Sequence, residues 1–329
     1  MVETSNITEE ELDANNDGII DAISFIIEGQ KNLPSAIAFD DLLWSHMKNN
    51  PAITSTIFGN RATNYTLLYA TDYKEAAGLF SLNRGTYGTI IHEFGHSLGF
   101  LDLYRHGSTN SPVGFFDIMG DTIGSNPQSF LSYFVSQYQR ETNWHDPLPI
   151  IDKTTNDITL SKPTFIDKNE KRAIKIEVGG NKDEYFIVEY HEKLNTYASH
   201  SADSSGIIIY RVNDAYKNQG NNGLSNHIYV FRPNETGPEN GEGNLSLATF
   251  NKKRPKFGKD LNLKDTQFDN ETIFFSNGAN SGLVLEVTNE TDDSITFNIT
   301  YPTTEGDGTK ENPYLIRNTE TYLYFMGMS

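Results

Sequence analysis

The chain has 329 residues and no cysteine, with 26 basic against 44 acidic side chains, a net charge of −18 and a pI near 4.8. That balance argues against a nucleic-acid or anionic-membrane partner, both of which select positive charge, and rules out disulfides, so stability must come from a core and from bound metals. A 36% hydrophobic and 12% aromatic content supplies such a core, the length suffices for two domains, and no apolar run is long enough to span a bilayer.

Residues 1–20 are polar and acidic and hold no signal peptide, so an exported chain would carry its targeting segment upstream. Residues 1–12 read as a helix end or a loop. Asp13, Asn15, Asp17 and Asp21 then place oxygen side chains at positions 1, 3, 5 and 9 of a loop with Gly18 at position 6, the spacing of a calcium loop in which Ile19 offers its carbonyl. Ser24 stands where an EF-hand has its bidentate Glu, and an ion-free Asx turn is the competing reading. Ala22–Ile27 is expected to be a buried strand. Trp44 reads as a core or cleft-wall residue, and His46 as structural or as a contact near the site. Residues 61–72 suit another strand.

The densest chemistry lies between Gly85 and Gly120. His92-Glu93-Phe94-Gly95-His96 falls in a helix expected over 86–98. Residues four apart share a helix face, so His92 and His96 can aim at one metal ion. Glu93 lies beside that ion and is placed to take a proton from water. A zinc site with an open position needs a third ligand. Gly99 lets the chain leave the helix at positive φ, and Asp102, three residues on, can return to the ion. Such a five-residue motif also arises by chance, but the following Gly, Asp and Asp117-Ile118-Met119-Gly120 make coincidence far less probable.

HEFGHSLGFLDLY followed by FFDIMG resembles the immune inhibitor A-like metallopeptidases, and LDANNDGIIDAISFIIEG, LLWSHM, EYFIVEY and SGIIIYRVN extend the resemblance over roughly residues 7 to 300. It implies a secreted or surface bacterial zinc endopeptidase acting on protein or peptide substrates, with His92, His96 and Asp102 on Zn2+ and Glu93 as general base. Met119 would lie in a methionine turn like that of metzincins. Leu101 departs from the family's usual Pro before the Asp. The family has more chain before residue 1, so the sequence is expected to start inside the domain or to be a shortened member. Tyr133 and His106 are candidate oxyanion donors.

Residues 107–116 and 121–126 read as loops near the site, and 127–141 shows helical spacing at Phe130, Leu131, Phe134, Val135 and Tyr138. From about residue 145 strand-like runs recur at Ile158–Leu160, Ala173–Val178, Tyr185–Tyr190, Gly206–Val212, Ile228–Phe231, Thr272–Phe275, Leu283–Val287 and Ser294–Ile299. They predict an antiparallel β-sandwich, with residues 232–244 as a surface loop. The expected architecture is α+β: a metzincin-like zinc peptidase domain over 1–147, either truncated at its N-terminus or shortened, a β-sandwich over 148–302, and a linker with the start of a repeat module over 303–329. That module resembles those of bacterial surface proteins and would allow surface attachment. A calcium-dependent adhesion module with a vestigial peptidase site is the alternative.

Overall fold

The computed structural model describes residues 8–27, 46–69, 85–108, 110–120, 146–162, 172–179, 181, 183–193, 202–223, 225–235, 239, 241–261, 271–302, 305–306, 308–316, 321–322 and 324–325. Trp44, Tyr133 and the helix expected at 127–141 lie outside these. The described residues are mostly sheet with few helices. They divide into two compact units, one holding those up to Leu101 and the other those from Asp102 onward.

The first unit opens with helix α1 (Glu9–Leu12), nucleated by a capping box in which Thr8 Oγ1 accepts from the Glu11 amide and Glu11 accepts from the Thr8 amide. Five strands follow: β1 (Ser24–Ile27), β2 (His46–Asn49), β3 (Thr56–Ile57), β4 (Asn60–Arg61) and β5 (Asn64–Tyr69). β5 is central, with β1 parallel on one side and β2 antiparallel on the other; β3 and β4 form a separate hairpin. The expected strand over Ala22–Ile27 exists, but it is not buried: Phe25 and Ile26 are 52% and 56% exposed. Its continuous apolar run suggested cover on both faces, whereas among the described residues it is an edge strand. Helix α2 (Gly85–Ser97) packs on β5 and β2. Its run of Thr, Ile and Gly has modest helix propensity, so tertiary packing holds it, helped by Thr66 Oγ1 and Ser97 Oγ at 3.3 Å.

The second unit contains β6 (Ile150–Ile151), β7 (Thr155–Ser161), β8 (Ala173–Ile176), β9 (Glu184–His191), β10 (Gly206–Asn213), β11 (Ile228–Val230), β12 (Lys256–Phe257), β13 (Val284–Glu290) and β14 (Ser294–Thr300). One sheet runs β11-β10-β9-β8-β6, antiparallel except for β6 on β8; the other runs β12-β13-β14-β7 and is antiparallel throughout. Every residue of β9 and β10 is buried, and both faces are therefore covered. That explains why EYFIVEYH and GIIIYRVN read as near-continuous apolar runs while β14 alternates. Phe186, Tyr229, Phe231, Phe250, Phe257, Phe274 and Phe275 pack with aliphatic residues of both sheets in one core. Tyr324 is buried in that core too, so the stretch read as a linker delivers an aromatic side chain to it.

Two further expectations are corrected. Ile273, Phe274 and Phe275 are buried, yet among the described residues Thr272–Phe275 forms no strand beyond an isolated bridge from Phe274 to Asn280. A turn folds the segment onto itself, with Gly278 at φ 84° and the Phe275 amide donating to the Ala279 carbonyl. Residues 232–244, expected as a surface loop, are so only in part: among the described residues Asn234, Glu242 and Asn244 are exposed, whereas Arg232, Glu235 and Glu239 are all less than a tenth exposed. Their charges are buried because they pair, Arg211 contacting both Glu184 (3.2 Å) and Glu239, and Arg232 approaching Glu235 at 3.9 Å.

Candidate active site

Helix α2 ends in a Schellman motif. Gly99 adopts φ 87°, its amide donates to the His96 carbonyl at 2.8 Å, and the Phe100 amide reaches the Gly95 carbonyl at 3.1 Å. The turn does a second job. His96 Nδ1 lies 2.8 Å from the Phe100 carbonyl oxygen. A carbonyl can only accept, so Nδ1 carries the proton and Nε2 is the unprotonated nitrogen. Fixing the tautomer through an outer partner is how ligating histidines are commonly held. The His92 and His96 rings stand edge to face at 4.7 Å.

The three expected ligands come together: His92, His96 and Asp102 each offer an atom, and these atoms all lie within 4.8 Å of one another. His92 and Glu93 are buried, at 5% and 7% exposure. His106 Nε2 lies 3.8 Å from Asp102 Oδ2, beyond hydrogen-bond distance, and its own side chain is 57% exposed. His46 sits on β2 with its ring against Tyr65.

Met119 is fully buried in a tight turn closed by Asp117, whose Oδ1 accepts from the Met119 amide at 2.7 Å and whose carbonyl accepts from Gly120 at 2.9 Å. A Cβ on Gly120 would stand 2.7 Å from the Gly114 carbonyl, so only glycine closes the turn. The Met119 carbonyl accepts from the Leu103 amide at 2.8 Å, tying the turn to the residue after Asp102.

Residues 8–143 match the model of the immune inhibitor A peptidase M6 catalytic domain. This stretch belongs to the peptidase M6 family. No curated protein and no solved structure matches the chain. The M6 stretch is thus the catalytic domain of a peptidase, whose substrates are proteins or peptides, and the resemblance read from HEFGHSLGFLDLY is borne out over these residues. No helix among the described residues is long and apolar enough to cross a membrane.

The Asp13–Asp21 loop of the M6 domain is closed by its own carboxylates. Asp13 Oδ1 and Oδ2 accept from the Asp17 and Gly18 amides, Asp17 Oδ1 from Ile19, and Asp21 Oδ2 from Ala14, at 2.8 to 3.1 Å. Asn15 Oδ1 accepts from the Asp17 amide at 3.0 Å. This is an Asx-turn network, and it occupies oxygens that the calcium reading assigned to an ion.

A buried group of the second unit escaped sequence reasoning. His191, at the end of β9, is 5% exposed and its ring meets Phe116 at 4.8 Å. Burial, with the Arg172 charge adding to it, lowers its pKa to about 4. Its unfolded value is about 6.5, so between those values the unfolded chain binds more protons than the folded one. The stability present above pH ~6.5 is therefore lost as pH falls toward ~4, by at most about 3 kcal/mol from this residue. Burial raises the Glu184 and Glu189 carboxyls, which act in the opposite sense. The measurement is accordingly a difference: denaturant melts of wild type and His191→Phe at a series of pH values. Wild type should lose stability relative to the variant between pH 6.5 and 4, and parallel curves would refute the assignment.

Proposed function

We propose that the M6 domain is a zinc-dependent endopeptidase whose metal is held by His92, His96 and Asp102. The convergence of these three side chains carries the reading. Two imidazoles and a carboxylate are a zinc donor set, and each here offers an atom within 4.8 Å of the other two. When bound, Zn2+ supplies Lewis acidity that makes water nucleophilic at neutral pH and polarises the scissile carbonyl. Glu93, adjacent to His92 and held by the same helix, takes the water proton and returns it to the leaving amine. His96 keeps Nε2 available through its Nδ1–H bond. Met119 provides an apolar floor.

The same proposal takes residues 1–147 as the metzincin-like catalytic domain, 148–302 as a β-sandwich packed around the shared aromatic core, and the remainder as the approach to a further module. It places the enzyme outside the cell, as the family resemblance implies; detection in culture medium rather than in cells tests that. Calcium at Asp13, Asn15, Asp17, Ile19 and Asp21 is supported by ligand spacing alone.

Hydrolysis of casein by the purified chain tests the reading. 1,10-Phenanthroline should abolish it and zinc should restore it; activity indifferent to the chelator would overturn the proposal. In the same preparation, with zinc held constant, added Ca2+ should raise Tm by several degrees in wild type, equivalent to roughly 2–4 kcal/mol at saturation. Asp17→Ala should lose that gain, and an equal response of both proteins would mean the loop is an ion-free turn.

A further inference from the structure

Asp102 is not on the helix that carries the two histidines. It lies after the helix, outside any helix or strand, and the direction of its side chain depends on how the peptide that follows it is held. The Asp102 carbonyl and the Leu103 amide belong to one rigid peptide plane. The carbonyl accepts from the Asn221 amide at 3.0 Å and the Leu103 amide donates to the Met119 carbonyl at 2.8 Å, so the plane is gripped at both ends. The next carbonyl, that of Leu103, accepts from Asn221 Nδ2 at 2.9 Å.

Asn221 is itself fully buried and anchored to the sheet. Its Nδ2 also donates to the Ile228 carbonyl at 2.8 Å, and its Oδ1 accepts from the Ile228 amide at 3.0 Å. Two carbonyls on one side and an N–H on the other leave only one orientation for the amide. No other side chain of this size offers two donors and an acceptor in that arrangement: Asp lacks the donors and Leu lacks both. Asn221 thus joins β11 to two consecutive peptide units at the third ligand. Further bonds hold the same segment, with Arg105 donating to Asn226 and to the Glu239 carbonyl, and the Val230 amide donating to the Pro112 carbonyl.

We propose that Asn221, lying beyond the M6 match, is a positioning residue for the metal ligand Asp102, so that the β-rich unit contributes to zinc affinity. The inference rests on the zinc reading above. Asn221 touches neither substrate nor metal; it fixes the backbone from which a ligand projects. Outer partners of this kind typically alter metal affinity by roughly 10- to 100-fold.

The test uses the full chain and zinc alone, with affinity measured by competition against a chelating dye and ligand geometry by the d–d absorption of the Co2+-substituted protein. Asn221→Ala should bind zinc roughly 10- to 100-fold more weakly and shift the cobalt bands. Asn251→Ala is the control: Asn251 is buried and its amide also makes three bonds, to Ser204 Oγ, the Ser205 carbonyl and the Lys253 amide, none at the Asp102 segment. It should keep wild-type affinity and spectrum. If Asn221→Ala does not fold, Asn221→Ser, which keeps one hydroxyl bond, is read in the same way. Wild-type affinity in the Asn221 variant, or equal weakening in the Asn251 control, overturns the proposal. Asp102→Ala separates the two readings: if it binds zinc like wild type, the ligand assignment itself has failed; if it binds weakly while the Asn221 variant does not, only the positioning role has failed.

Discussion

Glu93→Gln is expected to lower casein hydrolysis by roughly 10²- to 10⁴-fold, the range supplied by a positioned general base, while zinc content stays at the wild-type level. Gln keeps the shape and an acceptor oxygen but cannot take a proton at neutral pH. The split between activity and metal content is the informative part. Glu93 is buried next to His92, and the near-isosteric Gln minimises any change of shape there. His96→Ala should instead lose both zinc and activity, because it removes a proposed ligand together with the Nδ1 bond to the Phe100 carbonyl just beyond the helix. Glu93→Gln retaining more than about a tenth of wild-type turnover would contradict the general-base role, whatever its zinc content.

The difference between those two variants reflects how the site is written in the chain. His92, His96, Gly99 and Asp102 fall within one short stretch, and every step from motif to geometry is local: helix periodicity aligns the histidines, and a positive-φ glycine ends the helix. Such a site is legible because no distant residue is needed to state it. The strands of the second unit were legible for a related reason, since β9, β10, β13 and β14 show apolar or alternating runs of strand length. Thr272–Phe275 has the same composition and is not a strand, because the turn at Gly278 folds it onto itself; an apolar run records burial more faithfully than conformation.

What could not be read is what depends on long-range pairing. RPNETGPENGEGN is polar and turn-rich, and by composition it belongs on the surface. Asn234, Glu242 and Asn244 are exposed accordingly, but Glu239 is buried because Arg211 in β10 supplies the opposite charge, and nothing in the loop announces that partner. Asn221 stands in NQGNNGLSN, where one Asn among several gives no sign that it is fully buried and bonded to the backbone beside Asp102. The exposure of β1 was missed from the other side, since position at the edge of a sheet is a property of topology and leaves no mark on four residues.

Arg211→Met should therefore destabilise the protein by roughly 3–5 kcal/mol, the usual cost of leaving a buried charge without its partner. Arg211 is fully buried and stands between Glu184 and Glu239, its guanidinium 5.5 Å from the Tyr229 ring and 5.7 Å from that of Phe274. Burial draws its pKa down to about 10, with Glu184 holding it up, so it remains a cation at neutral pH. Burial raises the Glu184 carboxyl, and Arg211 is the principal influence pulling it back. Removing Arg211 lets that carboxyl rise further. A folded-state value raised above the unfolded one favours the native state below the unfolded pKa and loses that benefit as pH rises through the folded value. The variant's deficit against wild type should accordingly be largest near neutrality and shrink on acidification toward pH 5. In thermal melts the neutral-pH loss corresponds to roughly 6–20 °C for a unit of this size. The effect should also reach the metal. Glu239 pairs with Arg211 through its carboxylate and accepts from Arg105 through its carbonyl, so loosening residue 239 loosens the segment that carries Asp102. Zinc affinity in Arg211→Met, measured well below its melting temperature, should fall along with stability. A deficit that does not change with pH would mean the buried carboxylates are neutralised by some group other than Arg211.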